Sequence, residues 1–120
     1  MATFNTTTYD DILDASHPAI VPSEIVLDGQ TLELGQVVAL QTSTGKIVAF
    51  DSAGADGADV FYGVILCDSA PSGADESGAV LVSGKVFEGN LIFANVADDG
   101  DTIRDDARLK GVYLTANQAS

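Results

Sequence analysis

The chain has 120 residues, of which 46% are hydrophobic and 19% charged, a composition typical of one globular domain rather than of a disordered chain. Its 18 acidic and 5 basic residues give a net charge of −13, which disfavours binding to the phosphate backbone of nucleic acids. A soluble, strongly acidic surface explains this charge equally well, so the charge alone identifies no partner.

The first 20 residues differ from the rest of the chain. They are rich in threonine, which favours extended over helical conformations, and they carry scattered aromatic residues: Thr3, Phe4, Thr6, Thr7, Thr8 and Tyr9. We interpret residues 1–20 as a flexible N-terminal arm and residues 21–120 as a single β-rich domain. An ordinary frayed terminus and a strand that adds to a partner's sheet both explain such an arm.

Short apolar or alternating segments follow, separated by turn residues, and they predict a series of short strands. Asp28-Gly29 predicts a hairpin turn, with Leu32 and Leu34 on one face of the returning segment. The continuous apolar run at 60–67 favours a strand buried on both faces, in which Gly63 marks a bulge or a close backbone approach. The predicted strands cover residues 24–28, 31–34, 37–40, 46–51, 60–67, 79–83, 84–87, 91–93 and 112–115. A kink at Gly84 is expected between the strands at 79–83 and 84–87.

One helix is predicted near the C-terminus, over residues 102–110. Asp101 or Thr102 can cap its start, basic residues follow towards its end, and Gly111 suits the position after it. Ile103 and Ala107 lie four residues apart and so share one face. The expected fold is therefore α+β and mostly β, a compact small domain of short strands with one short helix near the C-terminus and an extended N-terminal arm.

No motif in the sequence is specific for catalysis, a cofactor or a metal. Cys67 lies in an apolar run and is expected to be a buried small hydrophobe, and His17 precedes a proline as a loop residue. The acidic residues around 98–106 lack the ligand spacing of a calcium loop, so helix capping and solvation explain them better. A pair of carboxylates for glycoside hydrolysis would need a deep cleft, which we do not expect in so small a domain.

The longest apolar run, at 60–67, is too short to span a bilayer. The first residues also lack the basic and apolar regions of a signal peptide. We therefore expect a protein that stays in the cytoplasm where it is made and has no membrane partner.

Five segments in order resemble the head decoration proteins of lambda-type phages. The first, at 35–51, has an apolar strand, a Ser/Thr-rich turn, a basic residue, an apolar triplet, an aromatic residue and an aspartate. The others are a small-residue loop leading to an apolar strand with an internal glycine at 56–66, the strand at 80–87, the helix from Thr102 and the terminal strand at 111–114. The resemblance covers roughly residues 30–115, and the segment 24–34 is an addition to the family's pattern.

This resemblance implies the fold of the lambda-type head decoration proteins and a homotrimer that binds the outside of the expanded phage head. It further implies that the trimer stabilises the head against the pressure of packaged DNA, and that the arm adds a strand to the major capsid protein. The capsid-binding residues would then be the arm residues Thr3, Phe4, Thr6, Thr7, Thr8 and Tyr9. The expected location is the outer surface of the virion, after synthesis in the host cytoplasm. A small β-rich protein- or ligand-binding module without catalysis is the alternative, and an enzyme is poorly supported.

Overall fold

A computed structural model describes residues 19–115 of the chain. Within this range lie seven short strands, a 3₁₀ turn at Glu88–Asn90 and one α-helix, α1. The predicted fold class, a small β-rich domain with one short helix near the C-terminus, is confirmed. The strands and the helix are β1 Ser23–Val26, β2 Val37–Leu40, β3 Ile47–Ala49, β4 Gly63–Ile65, β5 Glu76–Leu81, β6 Gly84–Phe87, α1 Gly100–Leu109 and β7 Val112–Thr115.

The first five strands form a closed barrel in the order β1-β3-β2-β4-β5, with β5 returning to β1. Only the β1–β3 pair is parallel, and the other four pairs are antiparallel. The longest ladder pairs β1 with β5, from Ser23 opposite Ala79 to Val26 opposite Glu76. Because the barrel closes on itself, each of its strands has a neighbour on both sides.

Outside the barrel, β6 and β7 form a parallel two-stranded sheet, with Gly84 opposite Val112. The chain leaves the barrel at Gly84, whose φ of +141° is a conformation that favours glycine. The predicted kink between the strands at 79–83 and 84–87 is therefore confirmed.

The core consists of two apolar clusters, one on each side of the barrel wall. The inner cluster takes one residue from each barrel strand together with Leu32, so it fills the barrel; its strand residues are Val26, Val38, Ile47, Ile65 and Val80. The outer cluster lies between the barrel wall and the covering layer of β6, β7 and α1, and it includes Val64, Leu81, Val86, Ile103 and Val112. Neighbouring residues such as Val64 and Ile65 thus enter different clusters, which explains why these strands have continuous apolar sequences.

The predicted hairpin at Asp28-Gly29 is wrong. A turn does form there, with Gly29 at φ +93°, but β1 pairs with β3 and β5 rather than with the segment after the turn. Leu32 and Leu34 also do not share a face, because Leu32 enters the inner cluster and Leu34 packs against the outer one. Strand β1 therefore pairs with two strands that lie far along the chain, β3 and β5, instead of with the segment directly after its turn.

Three other predicted strands are shorter than expected. Of the segment 46–51, only Ile47–Ala49 forms a strand. The two-sided strand at 60–67 is confirmed only for Gly63–Ile65, and Val60 is 50% exposed. The segment 91–93 contributes one isolated bridge, from Ile92 to Gln36. At Gly63 the close backbone approach is confirmed, since an added Cβ would lie 2.4 Å from the Leu81 carbonyl oxygen.

Helix α1 begins two residues earlier than predicted. Its N-cap is Asp99, whose side chain accepts a hydrogen bond from the Thr102 amide, while the Thr102 hydroxyl accepts one from the Asp99 amide. Such a reciprocal capping box satisfies two amides that the first turn leaves unpaired. Ile103 and Ala107 are both fully buried, and Gly111 has φ +89°, so the predicted helix face and the predicted glycine after the helix are confirmed.

Candidate functional site

The predicted binding residues of the arm lie outside the described residues. These are Thr3, Phe4, Thr6, Thr7, Thr8 and Tyr9, and His17 lies outside as well. What the structure shows is the arm root, which we define as residues 19–22, where the chain enters the domain.

The arm root is hydrogen-bonded to the residues that follow β5. The Ile20 amide donates to the Ser83 carbonyl at 2.9 Å, and the Val82 amide donates to the Ile20 carbonyl at 3.0 Å. This exchange prolongs the antiparallel ladder between β1 and β5 beyond the strands themselves. The point at which the arm meets the domain is therefore fixed by the main chain.

Gly84 provides the space for the arm root. A Cβ added at Gly84 would lie 3.2 Å from the Ala19 Cβ and 3.3 Å from its Cα. Ala19 itself packs against the outer cluster. The glycine that lets the chain leave the barrel thus also lets the arm root lie beside that exit.

Six large apolar side chains are exposed among the described residues: Ile20 at 61%, Ile25 at 45%, Val60 at 50%, Val96 at 100%, Leu109 at 86% and Tyr113 at 41%. Single exposed apolar residues are ordinary on a protein surface. Ile20, however, belongs to the arm root, and Val96 stands on a loop held by several hydrogen bonds. At both positions an exposed apolar side chain stands on backbone outside the strands and the helix that hydrogen bonds hold in place.

The loop that carries Val96 is tied to the loop after β3. The Asn95 side-chain amide donates to Asp51 Oδ1 at 2.9 Å, and the Asp98 carboxylate accepts from both the amide and the hydroxyl of Ser52. The hydrogen bond from Asn95 and one from the Ala53 amide hold the pKa of the Asp51 carboxyl below its usual value. The fully exposed Val96 is consequently presented by a fixed loop.

A shallow apolar pocket of about 180 Å³ lies at the other end of α1. It is smaller than the roughly 300–1,000 Å³ typical of ligand sites. The Lys110 ammonium group donates to the Phe61 carbonyl at 2.7 Å beside it. Its lining residues are Leu40, Thr42, Gly57, Val60, Phe61, Tyr62 and Lys110.

Tyr62 and Glu24 form a hydrogen bond within the domain. The Tyr62 hydroxyl donates to Glu24 Oε2 at 2.5 Å, joining the chain just before β4 to β1. Burial and this contact raise the pKa of Tyr62 to about 12. A phenol held protonated in this way is a structural cross-link and is unsuited to serve as a base near neutral pH.

The acidic residues around α1 have structural roles. Asp99 caps the helix, Asp98 binds Ser52, and Asp101 pairs with Arg104 at 2.9 Å. Within residues 19–115 no group of three or more Asp, Glu, His or Cys side chains is placed to hold a metal ion. Cys67, expected to be buried, is only partly buried, and it packs against the inner cluster.

Most of the positive charge is already paired. Lys46 forms an ion pair with Asp75, Arg104 pairs with Glu88 and Asp101, and Arg108 pairs with Asp105. The bonds from Lys46 and from the Asp28 amide lower the pKa of Asp75. These ion pairs leave the excess acidic side chains to dominate the surface, which disfavours contact with phosphate-rich partners.

Two features of this surface were missed from the sequence, namely the exposure of Val96 and the pocket beside Val60. Val96 is the one large apolar residue in the segment 94–100, whose other residues are alanine, asparagine, aspartate and glycine, and that isolation was the available signal. The pocket had no local signal, because its lining combines four separate stretches of the chain.

Within the described part of the chain, no helix has both the length and the apolar character needed to cross a membrane. The chain matches the family described as Bacteriophage lambda head decoration protein D over residues 9–112. No curated protein matches the chain.

Proposed function

This chain belongs to the bacteriophage lambda head decoration protein D family, and we propose that it binds the outside of the expanded phage head as a homotrimer and stabilises the head against the pressure of packaged DNA. The observation that carries the proposal is the family match over residues 9–112, which includes the whole described domain except its last three residues. A capsid decoration role and a location on the virion follow from the family. The trimer, the stabilisation and the residues involved are our proposal.

The partner we propose is the major capsid protein, and the contact is a strand supplied by the arm at 1–20. A peptide that adds to a sheet edge gains main-chain hydrogen bonds along its length. The barrel strands are already paired on both sides, so they offer no edge of their own. The arm root supports the proposal because it fixes the place from which the arm extends, beside Ser83 and Gly84.

A preference for the expanded head would explain how binding stabilises the shell. A ligand shifts an equilibrium between two states by the difference between its affinities for them. A decoration protein that finds its site only on expanded heads therefore stabilises that form, and the effect is repeated at every site. No chemistry is needed for this role, so we propose that the protein is not an enzyme and uses no cofactor.

The test is a sedimentation assay with purified heads. We expect the protein to cosediment with expanded heads and to stay in solution with unexpanded heads. Equal binding to both forms, or binding to neither, would contradict the proposal. Cryo-microscopy of decorated heads should then show three copies around each threefold and quasi-threefold position.

The arm is tested by deleting residues 2–16, which leaves the described domain complete. We expect a variant with an unchanged cooperative thermal transition and at least a tenfold loss of affinity for expanded heads. A matched control replaces residues 116–119 with glycine and serine residues and should bind as the unaltered chain does. A collapse of the melting temperature on arm deletion would show instead that the segment belongs to the domain core.

A further inference from the structure

We propose that Pro18 prevents the arm from pairing with strand β6 of its own chain, and so keeps the arm available for the sheet of a partner. The inference rests on the proposed function for that partner, and it adds the residue that decides between the two pairings. The surface concerned is the β6 edge, defined as the side of Gly84–Phe87 that faces away from β7.

The β6 edge carries main-chain groups that no other described strand pairs with. Within residues 19–115, β6 pairs with β7 alone. The Gly84 amide donates to the Gly111 carbonyl at 2.9 Å, so the main-chain groups of Gly84 point towards β7. Successive residues of a strand direct these groups to opposite sides. The amides and carbonyls of Lys85 and Phe87 therefore point to the β6 edge.

The arm root is aligned with this edge. The Ile20 amide donates to the Ser83 carbonyl at 2.9 Å, in an antiparallel bridge between the two residues. The next pair along is Ala19 and Gly84, where an added Cβ on the glycine would lie 3.2 Å from the Ala19 Cβ. The arm root thus ends beside the first residue of β6 and runs antiparallel to the chain there.

An unbroken ladder in this register would continue along β6. It would bring residue 18 opposite Lys85 and Ser16 opposite Phe87. Unpaired strand edges accept any strand-forming segment, and a segment joined to the edge by its own chain is present at a high effective concentration. An arm that adds a strand to another protein's sheet must therefore be kept from the edge of its own domain.

Proline at residue 18 has the chemistry to do this. Ile20 directs its main-chain groups to the residues after β5, and by alternation residue 18 would direct its own to the β6 edge. A proline has no N–H, so the Lys85 carbonyl would receive no hydrogen bond from residue 18. Proline is for this reason tolerated at a strand edge only where its nitrogen faces away from the neighbouring strand.

Pro22 shows what a proline does within this same ladder. Its carbonyl accepts from the Val80 amide at 3.1 Å, but it has no N–H to donate in return. Strand β1 begins only after it, at Ser23, and the Ile20–Ser83 pair beyond it is an isolated bridge. One proline thus already reduces the ladder to a single bridge, and a second at residue 18 removes the next donor.

Amide exchange in the free full-length chain tests the inference. Pro18→Val supplies an N–H at residue 18 and a side chain that favours strands. We expect the Phe87 amide to exchange at least about fivefold more slowly in this variant than in the unaltered chain, because it gains an acceptor in the arm. Nuclear magnetic resonance measures the rates, with the Gly84 amide, already bonded to Gly111, as internal reference. Equal rates at Phe87 in the two proteins would overturn the inference.

His17→Val is the matched control. It adds the same strand-forming side chain one residue earlier and leaves Pro18 in place, so the Phe87 amide should exchange as in the unaltered chain. If His17→Val slows this exchange as much as Pro18→Val does, strand propensity governs the pairing and the inference is wrong.

Protein concentration separates pairing within a chain from pairing between chains. The arm and the β6 edge belong to one molecule, so the slower exchange in Pro18→Val should be the same in dilute and concentrated solution. Slowing that appears only in concentrated solution would come from a second copy and would refute pairing with the chain's own β6.

Binding to expanded heads tests the consequence for the arm. Only chains whose arm is undocked bind with full affinity, so Pro18→Val should lose affinity by about the factor by which its Phe87 exchange slows. His17→Val should bind as the unaltered chain does. Slow exchange in Pro18→Val together with unchanged affinity would contradict the role of Pro18 in keeping the arm available.

The two proposals can fail separately. If the unaltered chain binds expanded heads while Pro18→Val changes neither exchange nor affinity, decoration stands and the role of Pro18 is wrong. If no variant binds heads but Pro18→Val slows exchange at Phe87, decoration is wrong and the block on pairing with β6 stands.

Discussion

Gly63 lies so close to Leu81 that a methyl group added to its Cα would stand 2.4 Å from the Leu81 carbonyl oxygen. The two residues belong to neighbouring antiparallel strands of the barrel, β4 and β5, where Val64 is opposite Leu81. The Val80 side chain lies 2.9 Å from the same position. A side chain at residue 63 would therefore force the two strands apart and open the barrel wall.

We expect Gly63→Ala to lower the free energy of unfolding by more than about 2 kcal/mol, because the nearest atom is backbone and cannot move aside. The matched control is Gly45→Ala, which has open space around its Cβ and a φ of +71°. Gly45→Ala should lower the free energy of unfolding by only about 1 kcal/mol, the cost of placing alanine at a positive φ. Chemical denaturation measures both variants, and equal losses would contradict the close approach.

Val64→Asp should abolish the cooperative thermal transition. Val64 is fully buried in the outer cluster, so the substitution places an unpaired carboxylate among apolar side chains. Val96→Asp introduces the same group at a fully exposed valine, and its circular dichroism spectrum should stay native. A folded and soluble Val64→Asp protein would refute the position of β4 in the core.

Asp99→Ala should destabilise the domain by about 1 kcal/mol, since the first turn of α1 loses its capping bond from the Thr102 amide. Asp106→Ala removes an exposed aspartate from the middle of the same helix and serves as the control. It should be neutral or slightly stabilising, because alanine has the higher helix propensity. The comparison is made by thermal denaturation at neutral pH, and similar losses for the two variants would argue against the cap.

The raised pKa of Tyr62 predicts an effect in the alkaline range. Its pKa is about 12 in the folded protein and about 10 in an unfolded chain, so the folded state keeps the proton longer. The stability that results is complete below pH 10 and is lost as the pH rises towards 12. Ultraviolet titration of the phenolates should show a late step that disappears in Tyr62→Phe.

Glu24→Gln is the matched control for this titration. It retains an acceptor for the Tyr62 hydroxyl and removes the charge, which contributes to the raised pKa together with burial. The late step should therefore move towards lower pH without vanishing. A step that is unchanged in Tyr62→Phe would belong to another tyrosine and would contradict the assignment.

The features that the sequence predicted correctly depend on neighbours along the chain. Ile103 and Ala107 share a helix face because they are four residues apart, and Gly111 ends the helix because it adopts a positive φ. The close approach at Gly63 was likewise indicated by a glycine within an apolar run, and the kink at Gly84 by a glycine between two strand-forming segments. Each signal lies within a few residues of its effect.

The wrong predictions concern strands whose pairing partners lie far along the chain. Ser23 pairs with Ala79, and Val26 is opposite Ile47, so β1 is held by two segments far along the chain rather than by the segment after its turn. Which distant strands pair depends on which apolar faces can be buried together. In this domain the buried apolar side chains are divided between two separate clusters. The assignment of the segment 31–34 to one face failed for this reason.

The pocket beside Val60 and the exposed position of Val96 could not be predicted from the sequence for a related reason. Val96 is exposed because side chains from the loop after β3 hold its neighbours in place, and Asp51 and Ser52 lie more than 40 residues earlier. The segment reads as an ordinary turn when its own residues alone are considered. Only the tertiary hydrogen bonds show that it is fixed.

The pairing of β1 has a mechanical consequence. Tension applied through the arm would reach the domain at Ile20 and then pass into β1, which has β3 on one side and β5 on the other. Hydrogen bonds in the β1–β5 ladder run across the strand, so a pull directed along β1 loads them together instead of breaking them one at a time. If the arm tethers the domain as proposed, the domain would thus resist being drawn open from that end.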